Sequence, residues 1–117
     1  MNLQLSLKTK WFELTKSGIK TEDYRELNEY WFKRLASEDY KQYWGLGDFI
    51  KYANNHPYKC YKDFTKNTMT LGYPKTGDSE RILRLEHKGI EIRTGNPEWG
   101  AEPDKLYFVI LHGSVVE

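Results

Sequence analysis

Gly18 is the position that most limits how this chain can fold. A helix stops readily at glycine, which takes the left-handed conformation without a Cβ clash. Ahead of it, Trp11, Leu14, Thr15 and Gly18 fall at i, i+3, i+4 and i+7, one face of a helix that Thr9 is placed to cap. Further upstream, Leu3, Leu5 and Leu7 alternate with Asn2, Gln4 and Ser6, the period of a half-buried strand. The N-terminal region therefore reads as strand, helix, stop. Its helical face should dock on a sheet, with Gly18 allowing close approach.

Directly after the stop come Lys20, Glu22, Asp23, Tyr24 and Arg25. A surface strand has no need of so many ionisable groups so close together. Residues 20–26 read as a second strand. Regular pleating puts Lys20, Glu22 and Tyr24 on one face and Thr21, Asp23 and Arg25 on the other.

The pattern Gly18-x-Lys20-x-x-Asp23-x-Arg25 resembles the signature of the ASCH domain, a relative of the RNA-binding PUA domain. That family has Glu where this chain has Asp23, with Glu22 just before it. The strand and helix leading in are also similar to the family's, and Tyr107–Gly113 resembles its closing strand, so both ends of the chain are covered. The resemblance implies an α+β fold: a PUA-like β-barrel flanked by helices. It implies an RNA- or nucleotide-binding protein with a cleft beside the first helix. Because the Lys and the carboxylate share that cleft in the family, the residues just after Gly18 should depart from regular pleating. Two branches of the family are enzymes, one an amidohydrolase acting on N4-acetylcytidine and one a ribonuclease. The amidohydrolase branch uses the Lys, a Thr three residues later and a distal Glu. Asp23 stands at that Thr position, so the hydroxyl is missing; Glu86 or Glu91 is the candidate for the distal acid, though neither lies in a matching motif. If the protein is an enzyme, Lys20 and Asp23 are its catalytic candidates.

The 117 residues are enough for one domain, spanning 1–117. No apolar run approaches the ~20 residues of a membrane span, and Met1–Leu7 lacks the plan of a signal peptide. Cys60 is the lone cysteine, and His56, His87 and His112 lie far apart. No disulfide, metal or cofactor site is expected from that set, and a cytoplasmic setting fits. Net charge is +1 but unevenly spread. Residues 51–75 carry Lys51, Lys59, Lys62, Lys66 and Lys75 against Asp63 alone, while residues 76–117 lean acidic. That segregation makes either a basic face or a solvated lysine-rich loop.

Residues 27–57 read as a helical insert after the second strand. Asn28 caps a helix with Leu27, Trp31 and Leu35 on its stripe, and Ser37 before Glu38 and Asp39 marks a second start. Asp48 caps a short helix to Ala53, which Asn54-Asn55-His56-Pro57 ends. Phe64–Leu71 is strand-like with Met69 and Leu71 inward. Leu83, Leu85 and His87 alternate, then Ile90 and Ile92 do, with a bulge or turn at Lys88-Gly89. Gly72–Asp78 and Thr94–Asp104 are Gly/Pro loops holding Tyr73 and Trp99. In 107–112 both alternating sets are mostly apolar, which suits a strand covered on both sides.

The ligand-binding candidates are thus Lys20, Glu22, Asp23, Tyr24, Arg25, Tyr73 and Trp99. Lys20 can act as a desolvated base, bind a phosphate, or pair structurally with Glu22. Arg25 offers a planar fork to a phosphate or bridges to Asp23. Tyr24, Tyr73 and Trp99 can stack on bases or fold back as lids; Trp11, Trp31, Trp44 and Phe108 are assigned to the core. His112 is expected to be hydrogen-bonded, and Cys60 to be a buried or half-buried thiol rather than a nucleophile. A third class of function, protein interaction, would use Trp31, Tyr43 and Trp44 on the insert.

Overall fold

In the computed structural model, which describes residues 1–55, 60–72 and 78–116 (Tyr43 and Ser79 by backbone alone), the leucine alternation becomes strand β1, Asn2–Leu7. Leu3, Leu5 and Leu7 are buried and their neighbours exposed. Helix α1 follows at Thr9–Lys16, with Lys8 rather than Thr9 as its N-cap. Its buried residues are Phe12 and Thr15, whereas Trp11 and Leu14 are half-buried. The stripe expected from Trp11 is thus turned by about one residue, because Phe12 fills the core position.

Strand β2 spans Glu22–Arg25, so Lys20 lies ahead of it and is released from the pleat. Three short helices follow: α2, Glu29–Leu35; α3, Glu38–Tyr43; and α4, Leu46–Tyr52. Asn28 caps α2 by accepting from Trp31 N at 3.0 Å. Ser37 caps α3, and Gly45, not Asp48, caps α4. Strands β3 (Lys66–Leu71), β4 (Ile82–Thr94) and β5 (Leu106–Val115) complete a five-stranded mixed sheet in the order β1-β3-β4-β5-β2. The class is α+β, as expected. β4 runs unbroken through Lys88-Gly89. Burial shifts there from the odd positions of Leu83 and Leu85 to the even positions of Ile90 and Ile92, and Gly89 has φ +130°. A change of phase at a left-handed glycine is what a bulge produces.

The backbone gathers into two compact units, each built from separate chain segments. The first comprises Met1–Asp23, Phe64–Gly89 and Leu111–Glu117. In it β1 pairs in parallel with β3, Leu5 opposite Met69, and β3 pairs antiparallel with β4, Met69 opposite Leu83. Leu3, Leu5, Phe12, Met69, Leu83 and Leu85 form its core. The second unit comprises Tyr24–Asp63 and Ile90–Ile110. Its core centres on Phe49, whose ring lies edge-on to Phe32, Tyr61 and Phe108 at 5.2, 5.3 and 6.3 Å. Tyr107, Phe108, Val109 and Ile110 are all buried, the double cover expected of that strand. Trp31 and Trp44 are only half-buried, a correction to their assignment to the core: they sit at the margins of short helices that bury Phe32 and Phe49 instead.

Candidate functional site around Lys20 and His112

The site begins with how α1 ends. Gly18, at φ +84°, turns the chain, and three backbone bonds close the turn: Gly18 N to Thr15 O at 3.1 Å, Ile19 N to Leu14 O at 3.1 Å and Lys20 N to Leu14 O at 3.0 Å. The turn satisfies carbonyls at the helix end and directs Lys20 inward. Lys20 is only 2% exposed. Its Nζ donates to the Glu22 carbonyl at 2.7 Å and to Asp23 Oδ1 at 2.8 Å. Glu22 and Asp23 are themselves buried. Lys20 and Asp23 therefore do share a site, because Lys20 precedes the pleated stretch.

β5 delivers the next group. His112 N donates to Thr21 O at 3.0 Å, which ties His112 to the residue between Lys20 and Glu22. The His112 ring is held by Asn67 of β3, which is fully buried. Asn67 Nδ2 lies 3.2 Å from Leu111 O and 2.7 Å from His112 Nδ1. Asn67 Oδ1 lies 2.7 Å from Nδ1 of His87, on β4. Burial pushes the His112 pKa down to about 4; Lys20 and His87 press the same way, while Asp23 and Glu22 oppose them. Burial also lowers the pKa of His87. At neutral pH the imidazole of His112 is therefore uncharged. It sits in the field of one ammonium and two carboxylate-bearing side chains.

The predicted site residues divide accordingly. Lys20, Glu22 and Asp23 fall in the first unit. Tyr24 and Arg25 fall in the second, where each has local work. Tyr24 Oη accepts from Asn96 N at 2.8 Å, and its ring lies 5.7 Å from that of Tyr107. Arg25 lies 5.0 Å over the Trp31 ring. Trp99 is half-buried in the short turn Pro97–Trp99. Tyr73 lies outside the described residues, as do His56 and Pro57 and the side chain of Tyr43. Cys60 is buried, with burial raising its pKa, consistent with an inert thiol.

Asn67 and His87 were not among the expected site residues. A signal for Asn67 was present: it is in phase with Met69, so a polar amide occupies a core-facing strand position. Such a residue needs partners when buried. Among the described residues, no group of three or more His, Cys, Asp and Glu is arranged to hold a metal ion, and no helix is long and apolar enough to cross a membrane. No protein-family model, curated protein or solved structure matches the chain.

Proposed function

We propose that this is an ASCH-type, PUA-like domain that binds single-stranded RNA or a nucleotide, with the base-side contacts at the Lys20, Asp23 and His112 cluster. The observation that carries the reading is the burial of the Lys20–Asp23 pair. Removing two charges from water costs several kcal/mol per ion, and well-packed apolar residues would serve stability as well or better. Charged groups held in such a place are suited to recognition or proton chemistry. Lys20 is already neutralised by Asp23, so it is a poor phosphate clamp and a better partner for uncharged polar atoms. Phosphates would meet Lys8 and Lys10, which are exposed at the start of α1; Lys10 Nζ also lies 4.8 Å over the half-buried Trp11 ring. Single-stranded RNA is the fitting polymer, since its bases can leave the stack and present their edges.

Binding of a short single-stranded oligonucleotide across a salt series tests this. Lys8→Ala with Lys10→Ala should flatten the salt dependence by roughly 0.7 for each phosphate no longer neutralised. Asp23→Asn should weaken binding and leave the slope alone. Wild-type affinity and slope in both variants would sink the proposal. Release of cytidine from N4-acetylcytidine by the same preparation would put the amidohydrolase reading in its place.

A further inference from the structure

Helix α2 carries two large rings that the core leaves out. It buries Phe32 and Leu35, whereas Tyr30 is 60% exposed and Trp31 half-buried. The two rings meet edge to face, with centroids 5.1 Å apart. Arg34 stands one helical turn further on, at i+4 from Tyr30 and i+3 from Trp31, so its guanidinium reaches both rings, at 5.4 Å from each. Arg25, at the end of β2, lies over the Trp31 ring at 5.0 Å. The indole is thus approached by two guanidiniums, and the Asn28 cap on Trp31 N fixes where the helix, and so the rings, begin. Among the described residues no carboxylate pairs with Arg34, which is exposed. The acids closest in sequence to the rings are placed elsewhere: Glu26 holds Lys105 at 2.9 Å, and Glu29 lines a cavity with Phe32, Lys33 and Trp44. Cation–ring contacts at an exposed position add little to stability, so folding alone does not account for the arrangement.

We infer that this face of α2 is a stacking platform for single-stranded nucleic acid, with a base laid on the exposed Tyr30 ring and phosphates met by Arg34 and Arg25. Rings interleaved with guanidiniums match a chain of planar bases and anionic phosphates. Every base offers a π-face, and a guanidinium can both stack and donate to phosphate. A duplex uses the faces of its bases in its own stack, so a single strand is the form that fits. The two arginines repel a cationic partner, and an apolar one would bury Arg34 without an acceptor. The platform meets faces rather than edges, so its binding should tolerate changes of sequence. It lies wholly in the second unit, while Lys20 and Asp23 belong to the first, and each surface can fail without the other.

The test is fluorescence anisotropy with a labelled oligouridine of about twelve nucleotides, beside an abasic ribose-phosphate strand of the same length. Tyr30→Ala removes a largely exposed ring, so the fold should persist, which a thermal unfolding curve checks. The variant should bind oligouridine about tenfold more weakly and the abasic strand as well as wild type does. Tyr30→Phe, which keeps the ring, should bind like wild type. Arg34→Gln should weaken binding of both strands and lower the salt slope by roughly 0.7. Wild-type affinity for oligouridine in Tyr30→Ala and Arg34→Gln overturns the inference, and a loss confined to the Lys8, Lys10 and Asp23 variants would leave the Lys20 reading standing without it. The converse, a loss in the Tyr30 and Arg34 variants alone, supports the platform and sinks the Lys20 cleft. An equal loss on both strands in Tyr30→Ala overturns the stacking role. Phosphatidylserine vesicles bound through Tyr30 and Arg34, with oligouridine unbound, overturn the inference in favour of a membrane surface. No binding of either strand by the wild-type protein overturns both readings.

Discussion

Replacing Lys20 by Met removes the ammonium and leaves the Asp23 carboxylate, 5% exposed, without the ion-pair partner now 2.8 Å away. Breaking a buried pair from one side typically costs about 3–5 kcal/mol, whereas replacing both members by apolar groups is often neutral. A cycle of Lys20→Met, Asp23→Leu and the double variant should therefore be strongly non-additive. Each single variant should lose about 3 kcal/mol, and the double should lose about 1 kcal/mol rather than the sum. Urea unfolding reads this directly. With a slope of about 1.5 kcal/mol per molar, each single substitution moves the midpoint down by about 2 M, and the double recovers most of the shift. Against a typical domain stability of about 5–15 kcal/mol, that is large enough to measure without ambiguity. A coupling energy below about 0.5 kcal/mol, the level expected of independent sites, would refute the argument that the two charges depend on one another. A double variant as stable as wild type but unable to bind oligonucleotide would show that the pair serves recognition, not stability.

Three further outcomes follow from the geometry. The His112 pKa falls from 6.5 to about 4 on folding, so between those values the unfolded chain binds more protons and stability drops as pH falls; the loss approaches about 3 kcal/mol by pH 4. His87 acts in the same direction, and His112→Gln should reduce the pH slope in thermal unfolding between about pH 6.5 and 4.5. Gly95→Ala should destabilise more than Gly18→Ala. A Cβ at Gly95 would stand 2.6 Å from Tyr24 Cε1 and 2.7 Å from Ala101 Cβ, whereas Gly18 has open space and only its φ of +84° to strain, about 1–2 kcal/mol; equal midpoints in the two variants would contradict this. Cys60 should react with a thiol reagent only as fast as the protein opens, and rapid labelling of the native form would contradict its burial.

The parts of the fold governed by neighbours in sequence were legible beforehand. The leucine alternation located β1, Gly18 located the end of α1, Asn28 located the start of α2, and the alternation of Leu83 and Leu85, then of Ile90 and Ile92, located the two buried stretches of β4. The errors lie where burial is decided by partners distant in sequence. Trp11, Trp31 and Trp44 had the size and spacing of core residues, but Phe12, Phe32 and Phe49 took the enclosed positions. An indole at a helix margin keeps part of its ring in water at little cost, while a phenyl ring gains most from complete enclosure.

The site shows the same division. That Lys20, Glu22 and Asp23 form a charged group after a helical stop is a property of the linear chain. Spacing dictates it, and the break in pleating before Glu22 lets the lysine meet the aspartate. That this group lies beside an uncharged histidine could not be read from order alone. Asn67, His87 and His112 come from three strands and meet only once β3, β4 and β5 are in register. Backbone periodicity is local and survives in the sequence. The Asn67 amide meets Leu111 O, forty-four residues later in the chain, and His112 Nδ1, and only the folded structure brings these together.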